Sequence, residues 1–327
     1  MQEKKDDKTK GAGKFMLAEK LMKKYGAGRP EDTGCISSTA LLLEGIHFSL
    51  VYFPLSHLGY KAAICAIAGV YSDGGTPEQL TVSLGIGTRH KIDDIEMITE
   101  GISLACKNHS LKINGISLET SLTGLTIAVT ATGRPGSFAD RAAAPSGTDL
   151  LCVTGNLGGA WAGLHVLERE RKVYEESGGA QPQLERYSYI IEKQLKPEFP
   201  AALITSLADQ GITPTSMTVT SEGLASDAIT LCRKAGVGCI VYVDRLPVAA
   251  ETKDAAAEMN LEPVIGALNG GDDFELLFTI PVTQHSLIEN MEGVTVIGHI
   301  TPSGDGCNLS LSDGSLTRLM APGWEGK

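Results

Sequence analysis

Residues 57–75, HLGYKAAICAIAGVYSDGG, constrain the fold more than any other stretch. Their helical run is apolar almost all round until Gly74 and Gly75 end it, so this helix is predicted to be largely buried. A buried helix needs layers on more than one side. The neighbouring segments supply them. TALLLEGIHFSL (39–50) reads as a strand turning through Gly45, QLTVSLGIG (79–87) as a strand, and IDDIEMITEGISLACKNHS (92–110) as a helix. LKINGISLETSLTGLTIAVTATGR (111–134) supplies two more strands separated by a polar bend. Helices set between antiparallel-looking strands predict an α+β half and not a Rossmann repeat. Before it, KFMLAEKLMKKY (14–25) has the spacing of a short amphipathic helix, and residues 1–13 read as a flexible tail.

PSGTDLLCVTGNLGGAWAGLHVLERE (145–170) opens a second half as strand, Gly-rich turn and long helix, which sets a domain boundary near residue 146. The domains are then 14–145 and 146–327. The polar segment 169–186 reads as a flexible connection. AALITSLADQGI is a helix, TSMTVTSEGLASDAITLCRKAG a strand and helix, GCIVYVDRLP a strand, and DAAAEMNL a helix. In ALNGGDDFELLFTI (267–280), two glycines bring Asp272 and Asp273 to the start of an apolar run that also holds Glu275. VTVIGHI and CNLSLSDGS supply the last strands.

A net charge of −11 without a basic stripe argues against nucleic acid as the main partner. No stretch reaches the roughly 20 apolar residues of a membrane helix, and the N-terminus lacks the apolar core of a secretory signal. A cytoplasmic protein is expected. The seven cysteines form no CxxC pair and read as small core residues in a reducing compartment. The seven histidines show no close metal-ligand spacing.

Five local patterns admit a functional and a structural reading. The glycines of TGNLGGAWAGL (154–164) either present backbone N–H groups to a phosphate or form a tight turn with close helix packing. Glu222 and Asp227 stand at a helix start, where acids favour the dipole. Glu44 and His47 flank a glycine at a strand end. Asp272 and Asp273 either shape a pocket for a cationic ligand or order a loop, and Trp324 either stacks on a ring or packs.

Taken in order, LLLEGIHF…PLSHLGYKA, GGTPEQLTVSLGI, SLTGLTIAVTATGR, DLLCVTGNLGGAWAGL, EGLASDA and NGGDDFELLFT resemble the blocks of thiamine-monophosphate kinases, from about residue 13 to 325. That family is related to aminoimidazole ribonucleotide synthetase and selenophosphate synthetase. The resemblance implies a two-domain fold of mixed α+β and α/β character. Its N-terminal domain binds nucleotide and pairs with a second copy into a dimeric β-barrel, and its C-terminal domain is a mixed-sheet α/β unit. It also implies ATP-dependent phosphorylation of thiamine monophosphate to thiamine diphosphate, with Mg²⁺ held by aspartates from distant motifs.

Here the family's aspartates fall on Ala40, Gly69, Ser117 and Val219, while Glu31 and Asp32 remain of its Gly-Asp-Asp segment. By the same resemblance Asp32, Ser117 and Glu222 belong to the nucleotide side, and Asp32, Glu222 and Asp73 are the acids left for metal. His47, Asp272, Asp273 and Trp324 belong to the substrate side. Two functions follow: an ATP- and Mg²⁺-dependent kinase, or a catalytically inactive paralogue that binds a small molecule or regulates and need hold neither.

Overall fold

The computed structural model describes residues 13–26, 34–139, 144–177 and 183–324. The expected tail, apart from Gly13, lies outside these residues, as does Asp32.

Helix α1 (Lys14–Tyr25) precedes strand β1 (Ile36–Leu43), after which Gly45, at φ +78°, turns the chain. Helix α2 (Leu55–Ser72), β2 (Gly75–Gly87), α3 (Ile92–Asn108), β3 (Lys112–Ser121) and β4 (Thr126–Pro135) follow. The sheet order is β1-β4-β2-β3. β4 pairs antiparallel with β1 and β2, but β2 and β3 are parallel, which corrects the antiparallel reading of that pair. Helix α3 supplies the crossover a parallel pair requires.

Helix α2 is buried as its sequence predicts, with Leu58, Ile64, Ile67 and Val70 inaccessible to solvent. Each contributes roughly 1.5–3 kcal/mol over leaving it exposed. The helix crosses α3 at two glycines. A Cβ on Gly59 would stand 1.9 Å from the Ile98 carbonyl oxygen, and one on Gly101 1.8 Å from that of Ser56.

The rest of the chain adds β5 (Leu150–Thr154), α4 (Gly159–Ser177), α5 (Ser188–Leu195), α6 (Ala201–Asp209) and β6 (Ser216–Val219). Next come α7 (Leu224–Ala235), β7 (Gly238–Tyr242), α8 (Ala250–Glu258), α9 (Pro263–Asn269) and β8 (Leu276–Ile280). Last are α10 (His285–Ile288), β9 (Val294–Thr301), β10 (Cys307–Ser310) and β11 (Leu316–Arg318). They form a mixed seven-stranded sheet of order β11-β10-β7-β9-β5-β8-β6, in which only β10 and β7 pair parallel.

Because strand side chains alternate in direction, β5 and β8 serve two cores. Leu151, Val153 and Leu277 pack with Leu224 and Leu231 of α7. Cys152, Leu276, Phe278 and Ile280 belong to a cluster that continues into Ile64, Ile67 and Val129. One core therefore crosses from the first sheet to the second, and α2 lies within it.

Two sequence expectations need correction. The segment from residue 169 is helical as far as Ser177, where Arg171 bridges Glu168 and Glu175 across successive turns of α4. Helix α9 was not anticipated, being only 7 residues long and too short to show a period. It starts at Glu262, whose side chain accepts the Val264 N–H, with Pro263 in the first turn. Among the described residues no helix is long and apolar enough to cross a membrane.

Candidate active site

The three acids before β8 point in three directions because the loop carrying them is not extended. Gly271, Asp272 and Phe274 have φ of +73°, +60° and +53°. The last two are unusual for residues with side chains, and strain of this kind concentrates at functional sites. The N–H groups of Asp272 and Phe274 donate to the carbonyls of Ser221 and Thr220, both at 2.9 Å. The Glu275 N–H donates to Thr220 Oγ1 at 2.9 Å, so the loop is fixed to the β6–α7 connection.

Asp273 is buried and accepts the N–H groups of Gly158 (2.8 Å) and Ala160 (3.4 Å). Burial raises its carboxyl to about 7, against the lowering effect of these bonds. The donors of the Gly-rich turn that a phosphate would need are thus taken by the chain's own carboxylate. Glu275, also buried, accepts from Thr154 Oγ1 (2.6 Å) and lies 3.1 Å from the Lys193 ammonium. Asp227 accepts the Glu222 N–H at 3.0 Å in the first turn of α7, as a capping acid does. Of the three loop acids, only Asp272 faces open space.

That space is a two-chambered cleft between the first and second sheets. The smaller chamber, about 300 Å³, is walled by Ser38 and Ala40 of β1, by Lys61, Cys65 and Gly69 of α2, and by Val219 and Phe274. The larger, about 680 Å³, is walled by Ile46, Phe48, Tyr52, Glu168 and the glycines before Asp272. His47, Ser221, Glu222 and Asp272 border both.

Lys61 is the charged group of the smaller chamber that sequence reasoning missed, although a single lysine inside an apolar helix was the available signal. Its side chain is 2% exposed. The ammonium donates to the Gln194 carbonyl (2.9 Å), to Gln194 Oε1 (3.4 Å) and to Asp272 Oδ2 (2.9 Å). Glu222 is paired with Lys14 at 2.7 Å. His47 Nδ1 accepts the Leu43 N–H at 3.0 Å, which fixes the ring at the end of β1. Burial pushes the Cys65 thiol up to about 12, leaving it a neutral wall group.

The other sequence candidates lie elsewhere. Asp73 caps the C-terminus of α2 and borders neither chamber. Ser117 is in register with Ser83, Ala128 and Leu41, a row on the sheet face opposite to the one that meets α2. Trp324 stacks on Phe15 (5.5 Å between ring centres) and donates to Ser226 Oγ (3.1 Å), beside a separate groove between α1 and α7. Glu44 is tied to Arg89 and accepts the Leu125 N–H at 2.8 Å.

Comparison with known proteins explains this arrangement. The AIR synthase related protein N-terminal domain family matches residues 24–157. A thiamine-monophosphate kinase from Aquifex aeolicus is 29% identical over 277 residues, 82% of this chain and 86% of that protein. One from Salmonella typhimurium is 26% identical over 290 residues, 86% of this chain and 83% of its own length. The solved structure of AaThiL complexed with AMPPCP and TMP has a TM-score of 0.80 at 24% identity, covering 96% of both chains. E. coli HypE, a hydrogenase maturation protein, has a TM-score of 0.65 at 17% identity, over 88% of this chain and 86% of the other. The chain is similar to thiamine-monophosphate kinases over most of its length and has the AIR synthase-like fold.

In this chain Ala40, Gly69 and Val219 come together around the smaller chamber, and Ser117 does not join them. Gly69 lies inside α2 and not at a helix start. A Cβ there would stand 2.0 Å from Ser38 Oγ, so β1 and α2 have closed over the position. Of the two described acids expected to hold metal, Glu222 borders the cleft and Asp73 does not. Among the described residues the one group of three potential ligands close enough to share an ion is made of thiols and not of carboxylates. Mg²⁺ requires several oxygen ligands in near-octahedral order. The described residues do not fit it.

Proposed function

We propose that the protein is a thiamine-monophosphate kinase-like binding protein. On this reading the cleft takes a thiamine phosphate or a similar cationic phosphate ester, and Mg²⁺-dependent phosphoryl transfer is lost. The observation that carries the reading is the smaller chamber. Three positions at which the resemblance calls for aspartates are Ala40, Gly69 and Val219, and Asp272 beside them is already paired with Lys61. Phosphoryl transfer rests on positioning and charge neutralisation, and the described carboxylates on this chamber's wall, Glu222 and Asp272, are each already paired with a lysine, which leaves no free ligand set among them for the ions that would provide it. The larger chamber keeps Glu168, Glu222 and Asp272, which favour a cation, together with Tyr52 and Phe48.

The second reading is an ATP-dependent thiamine-monophosphate kinase. The names of the relatives and the AMPPCP complex of AaThiL favour it. Calorimetric titration separates the two. Thiamine monophosphate binding that is indifferent to Mg²⁺, without turnover in ATP, supports the binding protein. Binding of AMPPCP that needs Mg²⁺ and is tighter than about 100 μM, a level that linkage would also register as stabilisation, supports the kinase.

The proposal includes a homodimer paired through the open face and edges of the first sheet, with residues 14–145 and 146–327 as its two units. The unpaired edge of β3, where Ile116 and Leu118 are exposed, supports such pairing. Sedimentation velocity of the wild type tests it.

A further inference from the structure

Cys232, Cys239 and Cys307 are separated by strand and helix in sequence, yet their sulfurs all lie within 4.8 Å of one another. Two Gly-Cys pairs build the cluster. The Cys239 N–H donates to the Gly306 carbonyl at 3.1 Å, and a Cβ on Gly238 would stand 2.3 Å from the same oxygen. The parallel strands β7 and β10 therefore start in close contact, with Cys239 directly opposite Cys307. Cys232 comes from the last turn of α7, where Gly236 in the left-handed conformation returns the chain towards β7. Cys232 and Cys239 are fully buried, and Cys307 forms the half-buried rim.

We propose that these three residues form a trithiolate site for a soft d¹⁰ cation, Cu(I), apart from the cleft. Thiolate bonds of about 2.3 Å place sulfurs about 4 Å apart around a trigonal ion. The cluster needs a contraction of less than about 1 Å to reach that spacing, since all its sulfurs lie within 4.8 Å of one another. Thiolate ligands select Cu(I) and Zn(II) over harder ions. Zn(II) takes four ligands in structural sites. Among the described residues no fourth His, Asp, Glu or Cys joins the cluster, which favours the three-coordinate ion.

The electrostatics agree. The C-terminal end of α7 favours a cation near Cys232. On binding, each coordinating thiol releases its proton to solvent and copper remains Cu(I), with no electron transferred.

The test uses the full-length reduced protein under anaerobic conditions, titrated with Cu(I) against a chromophoric chelator. Separate arms use Zn(II) and the Cys307→Ser variant. The expected result is one Cu(I) per chain, with Cys232, Cys239 and Cys307 protected from alkylation. C307S should bind at least about 100-fold more weakly, with its far-ultraviolet spectrum unchanged. Equal uptake by C307S, protection of other cysteines, or no uptake by the wild type overturns the site. Retention of Zn(II) in preference to Cu(I) overturns the three-coordinate assignment.

Discussion

The Lys61 ammonium and the Asp272 carboxylate lie 2.9 Å apart across the cleft, joining helix α2 of the first sheet to the loop before β8 of the second. Lys61 is 2% exposed and Asp272 39%, so water screens one partner only. Breaking a fully buried pair costs about 3–5 kcal/mol. Asp272→Asn should therefore cost less, about 1–2 kcal/mol, because Gln194 still accepts from the ammonium. The urea midpoint measures this. A loss below the error of the midpoint would mean that the pair does not hold the two halves together.

Asp273 sets a pH dependence of definite sign. Its folded carboxyl is raised to about 7 by burial, above the ordinary value of 3.8. The folded state thus binds the proton more tightly than the unfolded chain. Its contribution is complete below about pH 4 and is lost as pH rises through about 7. Asp273→Asn should remove this loss, so the variant gains on the wild type by a few kcal/mol, about 2–4, between pH 5 and 8. Parallel stability curves for the two proteins over that range would contradict the assignment.

Much of the fold is legible in the sequence because periodicity reports burial directly. The apolar circumference of α2 and the continuous run of β8 are examples. Pairing direction is not local information, and so the parallel pairing of β2 with β3 escaped. The site is legible in pieces only. Asp272, Asp273 and Glu275 look like one acidic group, but left-handed backbone at Gly271, Asp272 and Phe274 sends each side chain to a different partner. The cysteine cluster has no sequence spacing to betray it, since strand register creates it. Ser117 and Ala40 look equivalent as replaced acids, yet the pleat puts them on opposite faces of one sheet.

Restoring acids tests whether the smaller chamber was once a metal site. Ala40→Asp with Val219→Asp adds two carboxylates to its wall. Calorimetry should then show nucleotide binding that depends on Mg²⁺, at about 0.1–1 mM, because the two new carboxylates have no lysine partner, whereas Glu222 and Asp272 are already paired. Unchanged Mg²⁺ response in this double variant would separate Ala40 and Val219 from metal chemistry.

Gly69 cannot be restored so simply. Its Cβ would stand 2.0 Å from Ser38 Oγ and 2.7 Å from Ser38 Cβ. Overpacking of this kind costs about 1–3 kcal/mol. Gly69→Asp should lose about that much stability, and Ser38→Gly should recover most of it in the double variant. Additive losses in thermal unfolding would show that β1 and α2 do not meet at this point.

The crossing of α2 and α3 transmits to the cleft because Gly59 is two residues from Lys61. A methyl group on Gly59 meets the Ile98 carbonyl at 1.9 Å, a backbone atom that cannot rotate away. The helices must separate, and the Lys61 ammonium is displaced with α2 relative to Gln194 and Asp272. Gly59→Ala should lose about 1–3 kcal/mol of stability despite the better helix propensity of alanine. If thiamine monophosphate occupies the cleft, its affinity should fall with it. Ala62→Gly serves as the control: it lies on the same helix, creates no clash, and lowers stability through propensity and lost packing. A Gly59→Ala protein as stable as the wild type would show that the two helices are free to part, and that the position of Lys61 is not set by their contact.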